Sequence, residues 1–322
     1  MPRRTAYLLG TLLVLGCTAP QGFEPANRRL QQFALESSPE TWTQTELHIP
    51  FGVEQSTLAF VPSLETRTGQ GPTTALRYEG EFVVLDSANQ RIARFAPDGS
   101  YVGQIDVPAM TRDIGATASG LWTYAPASLK ATLLDRQGGV LDTVRLSPAA
   151  STAVAVQCLD GEFGLLTRFQ QHGLLGTDGS FRPTDGVPGF DHSKRVIHVE
   201  KGEAGTKIHL LEIRGAIVEG GRSTTHELVA SNLPCTSARL WGTTQGGSSV
   251  LQCEALVDDG STVEHHFYEW TPPFSPNLLF RTVPDGDFPP YRPVQVTEDG
   301  FTLMIPGVDG VTLVDFRCGR DS

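Results

Sequence analysis

The stretch Leu85–Gln104, LDSANQRIARFAPDGSYVGQ, holds the two signals that decide the fold. Asp98-Gly99 separates two apolar runs, Ile92–Phe95 and Tyr101–Ile105. A tight hairpin turn favours glycine there because glycine accepts the positive φ that the turn requires. A polar corner, Asp86–Asn89, joins Ile92–Phe95 to the preceding apolar run Phe82–Leu85. Adding Thr74–Tyr78 and the turn at Gly80 completes a meander of four short strands.

The same unit recurs along the chain. Ile114–Leu146 carries turns at Gly120 and Gly138-Gly139, and Ala153–Val187 carries Asp160-Gly161 and Asp178-Gly179. Longer versions run over Arg195–Cys235 and Arg239–Val283, and a last one, from Arg292 to Phe316, stops after three strands. Unit starts spaced by roughly 40 residues match the blade of a β-propeller. Thr43–Gly52 is a strand with no blade of its own, so it supplies the missing fourth strand. Pairing the two chain ends removes the open edge that an unclosed fan would expose. The expected fold class is therefore all-β, a six-bladed β-propeller whose N-terminal strand closes the last blade.

Leu85–Gln104 resembles the NHL repeat through Asp86, Ser87, Asn89, Arg91, Ile92, Phe95, Asp98 and Gly99. Arg292-Pro293, Val296 and Asp299-Gly300 resemble the opening of the same kind of blade, while the other blades match in rhythm and turn placement alone. The resemblance implies a six-bladed propeller of NHL or TolB-like type. It also implies that the corner between strands two and three faces ligands, which marks Asp86, Asn89 and Arg91.

The N-terminus reads MPRRTAYLLGTLLVLGC, with Arg3 and Arg4 before an apolar run from Ala6 to Leu15. That run is about half the length of a membrane span, which marks an export signal. Val14-Leu15-Gly16-Cys17 resembles the lipobox of bacterial lipoproteins, which implies cleavage before Cys17 and acylation of its thiol. Two or more acyl chains hold a protein stably on a bilayer. The expected division is a signal peptide at 1–16, lipidated Cys17 with a flexible tether to 42, the propeller at 43–318 and a short tail at 319–322. Localisation follows as exported and lipid-anchored at the bacterial cell envelope, on the periplasmic or outer-membrane face.

The whole chain has 25 basic and 36 acidic residues, a net charge of −11. Loss of Arg3 and Arg4 with the leader leaves 23 against 36, or −13. So acidic a body is repelled by phosphate backbones, which excludes nucleic acid as a partner. Four cysteines remain after Cys17, and an oxidising compartment allows two disulfides. Cys235 with Cys253 is the favoured bridge, since both lie on neighbouring strands, and Cys158 with Cys318 follows by elimination.

Links leading into the inner strands should share the ligand face with the corners. They carry Arg112, Asp113, Asp191, His192, Phe288, Tyr291 and Arg292, a rim of mixed charge with two aromatics. Propeller lactonases and amidating lyases, which this scaffold resembles, hold a metal in the channel. Asp113, Asp191 and His192 are the candidates for such a Ca or Zn site. In RVIHVEKGEAGTKIHLLEI, a turn at Gly202–Gly205 would set His198 opposite His209 and Glu200 opposite Lys207 on one polar face. His198 and His209 are weak zinc candidates there, because Lys207 would repel a cation. His265 and His266 alternate faces and cannot chelate together, and no GxSxG, HExxH or P-loop occurs. The reading favours a binding or scaffold module without cofactor for an envelope protein, peptide or glycan. A metal-dependent hydrolase or lyase, lactonase-like or amidating-lyase-like, is the alternative.

Overall fold

Six four-stranded antiparallel sheets make up the described part of the chain. The computed structural model describes residues 42–61, 70–159, 161–176, 179–202, 205–214, 224–257, 262–282, 292–307 and 309–318. Blades 1 to 5 are Pro72–Asp106, Asp113–Arg145, Ala153–Asp185, Val187–Asn232 and Ser237–Thr282, each in simple meander order. Blade 6 joins Val294–Thr297, Gly300–Pro306 and Gly310–Cys318 to Trp42–Pro50 from the other end of the chain. That closure runs in continuous register from Trp42↔Cys318 to Pro50↔Gly310.

The burial pattern explains the stacking. In blade 1, Phe82–Asp86 is buried at every position, with no polar face. Phe82, Val84, Ala93 and Phe95 pack toward blade 6 with Leu47, Ile49 and Leu313. Val83, Leu85 and Ile92 pack the other way, against Ile114, Leu121 and Leu134 of blade 2. A sheet sandwiched between two others must be apolar on both faces, and only its outermost strand can turn polar. Val140–Arg145, the outer strand of blade 2, is accordingly exposed along most of its length. At the Asp98-Gly99 turn Gly99 has φ +86°, and a Cβ there would lie 2.8 Å from Leu47 Cδ1 of the closing strand. Turn geometry and ring closure thus meet at one residue.

Two expectations need correction. Blade 4 begins at Val187–Pro188, not at Arg195, which lies on its second strand, Lys194–Gly202. A two-residue inner strand bounded by Gly186 and Gly189 carries no alternation to read. Cys235 and Cys253 are bridged, but Cys158 is a free, buried thiol, so no Cys158–Cys318 bridge forms. Cys158 follows the inner strand of blade 3, whereas Cys318 ends the third strand of blade 6, paired with the outermost one.

Candidate functional site at the axial channel

Every inner strand runs in the same direction along the ring axis, so each blade presents its first turn on one face and its second corner on the other. The first turns surround a cavity of about 450 Å³ at the channel mouth. Every blade contributes: Tyr78 and Glu79, Thr117 and Ala118, Cys158 and Gly161, Phe190 and His192, Gln245, and Thr297 with Glu298. The rim is interlocked by backbone. Phe190 N–H donates to the Thr243 carbonyl at 2.9 Å, and Gln245 N–H donates to the Glu298 carbonyl at 2.9 Å.

Beneath the cavity the channel is plugged by an ion pair that crosses the axis. Arg292, at the start of blade 6, is 1% exposed, and its backbone N–H donates to the Thr73 carbonyl of blade 1 at 3.0 Å. Its guanidinium reaches Asp113 of blade 2 at 3.4 Å and also donates to the Val156 carbonyl of blade 3. Blades 6 and 3 are opposite in a six-membered ring, so this side chain must span the channel. Asp113 is fully buried and accepts the Val156 N–H at 2.5 Å. Burial pushes its carboxyl above the usual range, against the opposing pull of Arg292 and that amide. Burial likewise raises the neighbouring Cys158 thiol to about 12, which leaves it neutral and unreactive near pH 7.

Two buried glutamines lie near the plug, and one of them, Gln295, lines the cavity. Gln295 lies on the inner strand of blade 6, beyond Arg292 and before the rim residue Thr297, and it lines the cavity. Gln157 stands between Val156, which the plug holds, and Cys158, which lines the cavity. Both are nearly fully buried, and the Oε1 of each has no hydrogen-bond partner. The amide of Gln157 is oriented by its Nε2, which donates to the Pro188 carbonyl at 3.3 Å; Gln295 Nε2 donates to the Val296 carbonyl at 3.4 Å.

The residues singled out from sequence fall into three groups. Asp86 and Arg91 are buried in a staple rather than presented to solvent. Asp86 Oδ2 accepts from Arg91 Nε at 3.0 Å and Asn89 Nδ2 at 2.9 Å, while Arg91 donates to the Gln55 and Thr57 carbonyls. This clamps the segment after the closing strand onto blade 1. Asn89 itself is exposed, as is Arg112, on the face away from the cavity. Asp113 and Arg292 form the plug. Asp191 and His192 come to the opposite face from the one expected, because blade 4 starts earlier and they occupy its first turn. Asp191 pairs with Arg195 at 2.7 Å, and Arg195 donates to the Gly247 carbonyl and Ser249 hydroxyl of blade 5. His192 lines the cavity with φ +59°. Cys17 and Tyr291 lie outside the described residues.

In blade 4 the register sets His198 opposite His209 and Glu200 opposite Lys207. His209 bonds to Glu200 at 2.9 Å and to Glu227, and those two carboxylates hold its imidazole above the usual histidine range. Among the described residues no group of three or more His, Cys, Asp or Glu side chains is arranged to hold a metal ion.

The cavity residues Tyr78, Phe190, Gln295 and Glu298 were not marked from sequence. Their common signal is positional: Tyr-Glu-Gly at 78–80, Cys-Leu-Asp-Gly at 158–161 and Thr-Glu-Asp-Gly at 297–300 all precede or form first turns. Superposing the units on those turns brings the rim together.

No family model and no curated protein matches the chain. Solved structures similar to it include a virginiamycin B lyase from Staphylococcus aureus, at 9% identity and TM-score 0.44, covering 86% of this chain and 99% of that one. A gluconolactonase from Xanthomonas campestris is similar at 11% identity and TM-score 0.42, over 84% of this chain and 97% of that one. BamB from Moraxella catarrhalis is similar at 10% identity and TM-score 0.37, over 88% and 99%. Likeness at this level says nothing about chemistry.

Proposed function

We propose that this chain is an exported, lipid-anchored binding module that uses the first-turn face of its propeller, around the axial cavity, to hold an envelope partner. The plug carries the reading. Asp113, the carboxylate that reaches the axis, is already neutralised by Arg292, so a divalent ion there would meet no net negative charge. This supports recognition over a channel metal held by Asp113. What surrounds the cavity instead is a concave, half-apolar surface contributed by every blade, the usual form of a recognition site. The leader and the Val14–Cys17 lipobox-like stretch support attachment through Cys17.

The test is site-specific photocrosslinking in intact cells, with the photoreactive residue at Ala118 on the cavity rim or at Asn89 on the far face. Discrete adducts from position 118 and none from 89 are expected. Adducts from 89 alone would reverse the face. Stabilisation of the protein by Ca²⁺ or Zn²⁺ that disappears in His192→Ala would favour the metal-dependent hydrolase or lyase instead.

A further inference from the structure

Resting on the cavity as the binding site, we infer that the group it admits is a primary alkylammonium, as on a lysine side chain of the partner or on a free amine. The floor supports this first. Gln295, which lines the cavity, is 6% exposed, and its Oε1 is an acceptor without a partner. A buried carbonyl left unpaired is costly, so a ligand that donates hydrogen bonds there gains more than one that accepts them. An ammonium has three donors and no acceptor.

The lining supplies the second argument. Glu79 and Glu298 bring carboxylates to the rim. Glu79 shares its charge with Arg136 at 3.2 Å. Among the described lining residues Arg77 and His192 are basic, and the Arg77 guanidinium is turned to Asp315 at 3.3 Å and lies over the Phe82 ring. Little positive charge therefore faces the occupant. Tyr78 and Phe190 add aromatic walls, which attract a cation through their ring quadrupoles. The Asp113–Arg292 pair beneath is charge-balanced, so the floor does not repel an ammonium. A chain of net charge −11 also raises the local concentration of cations. A volume of about 450 Å³ suits the tip of one long side chain rather than a folded domain.

The experiment is calorimetric titration of the intact protein in detergent with n-butylammonium, with acetyl-Gly-Gly-Lys-Gly-Gly-amide and, as neutral comparators, 1-butanol and glucose. Saturable binding of n-butylammonium or the lysine peptide is expected, weakened about tenfold in Glu298→Gln and in Gln295→Leu by loss of a charge-assisted acceptor. Binding of the peptide but not the free amine points to a protein partner, and binding of both admits either source; each supports the inference. The unfolding midpoints of both variants separate lost affinity from lost structure. Saturable binding of glucose or butanol without the amine would overturn the ammonium while leaving the cavity as the binding site. Amine binding unchanged in both variants would place it elsewhere and overturn the inference. No binding of any probe, with crosslinks from Asn89 alone, would overturn the cavity itself.

Discussion

Replacing Arg292 by Met removes the cation from a pair in which both side chains are essentially inaccessible, 1% and 0% exposed. Asp113 then keeps the Val156 amide, while its Oδ1 lacks a close hydrogen-bond partner. Breaking a buried pair from one side costs about 3–5 kcal/mol, mostly because the survivor is left uncompensated. A propeller of roughly 280 residues unfolds with an entropy of about 0.6 kcal/mol/K, so that loss lowers the midpoint by about 5–8 K. The double variant Arg292→Met with Asp113→Asn leaves no orphaned charge and should recover at least half of the loss. The pH dependence has a definite sign. Without Arg292, the largest opposition to the burial that raises the Asp113 carboxyl is gone, and only hydrogen bonds from Val156, Ile114 and Thr74 remain. The folded state then binds more protons, so the deficit grows as pH rises from about 5 to 7 and shrinks as it falls. Calorimetric unfolding of the intact protein, of Arg292→Met and Asp113→Asn singly and of the double variant, at both pH values, measures this. Additive losses in the double variant, or a midpoint shift below about 1 K in Arg292→Met, would refute a plug that ties opposite blades together.

His172 is buried against the Gln157 carbonyl, and burial lowers its pKa from 6.5 to about 4. Its neutral form is held in the fold, so stability is full above about pH 6.5 and falls by about 3 kcal/mol on acidification to pH 4; a flatter profile in His172→Gln is the check, read by denaturant unfolding. Reducing the Cys235–Cys253 bridge, which closes a separation of 18 residues, should cost about 3 kcal/mol, measured as the shift in urea midpoint with and without dithiothreitol. Ile49→Ala in the closing strand, 2% exposed between blades 6 and 1, should cost about 2–5 kcal/mol and speed unfolding at the ring seam, seen as loss of hydrogen-exchange protection along Gly310–Cys318. Cys17→Ala should release the protein from membranes in fractionation and abolish palmitate labelling, if Cys17 is the acyl acceptor.

The Asp98-Gly99 and Gly138-Gly139 turns, the unit spacing and the spare strand at Thr43–Gly52 were enough to read blades, their number and the closure. These are local signals: a positive φ calls for Gly, and a sheet covered on both faces is apolar at every step. The start of blade 4 was not legible, because two residues, Val187 and Pro188, cannot display a period. That single offset moved Asp191 and His192 to the wrong face. The corner Asp86–Arg91 was legible as a motif, yet its role was not, since the Gln55 and Thr57 carbonyls it grips come from a segment more than thirty residues away.

Alone, the order of residues determined the architecture and the acidic character, for the first depends on neighbours within a strand or a turn and the second on composition. Only tertiary structure decided that Asp113 and Arg292, 179 positions apart, meet at the axis, and that the Gln295 oxygen in the cavity wall is left without a donor. The reason is geometric. A ring brings together the first turns of all its blades at a common centre, and the distance between residues there depends on the curvature of the whole circle rather than on any stretch of chain.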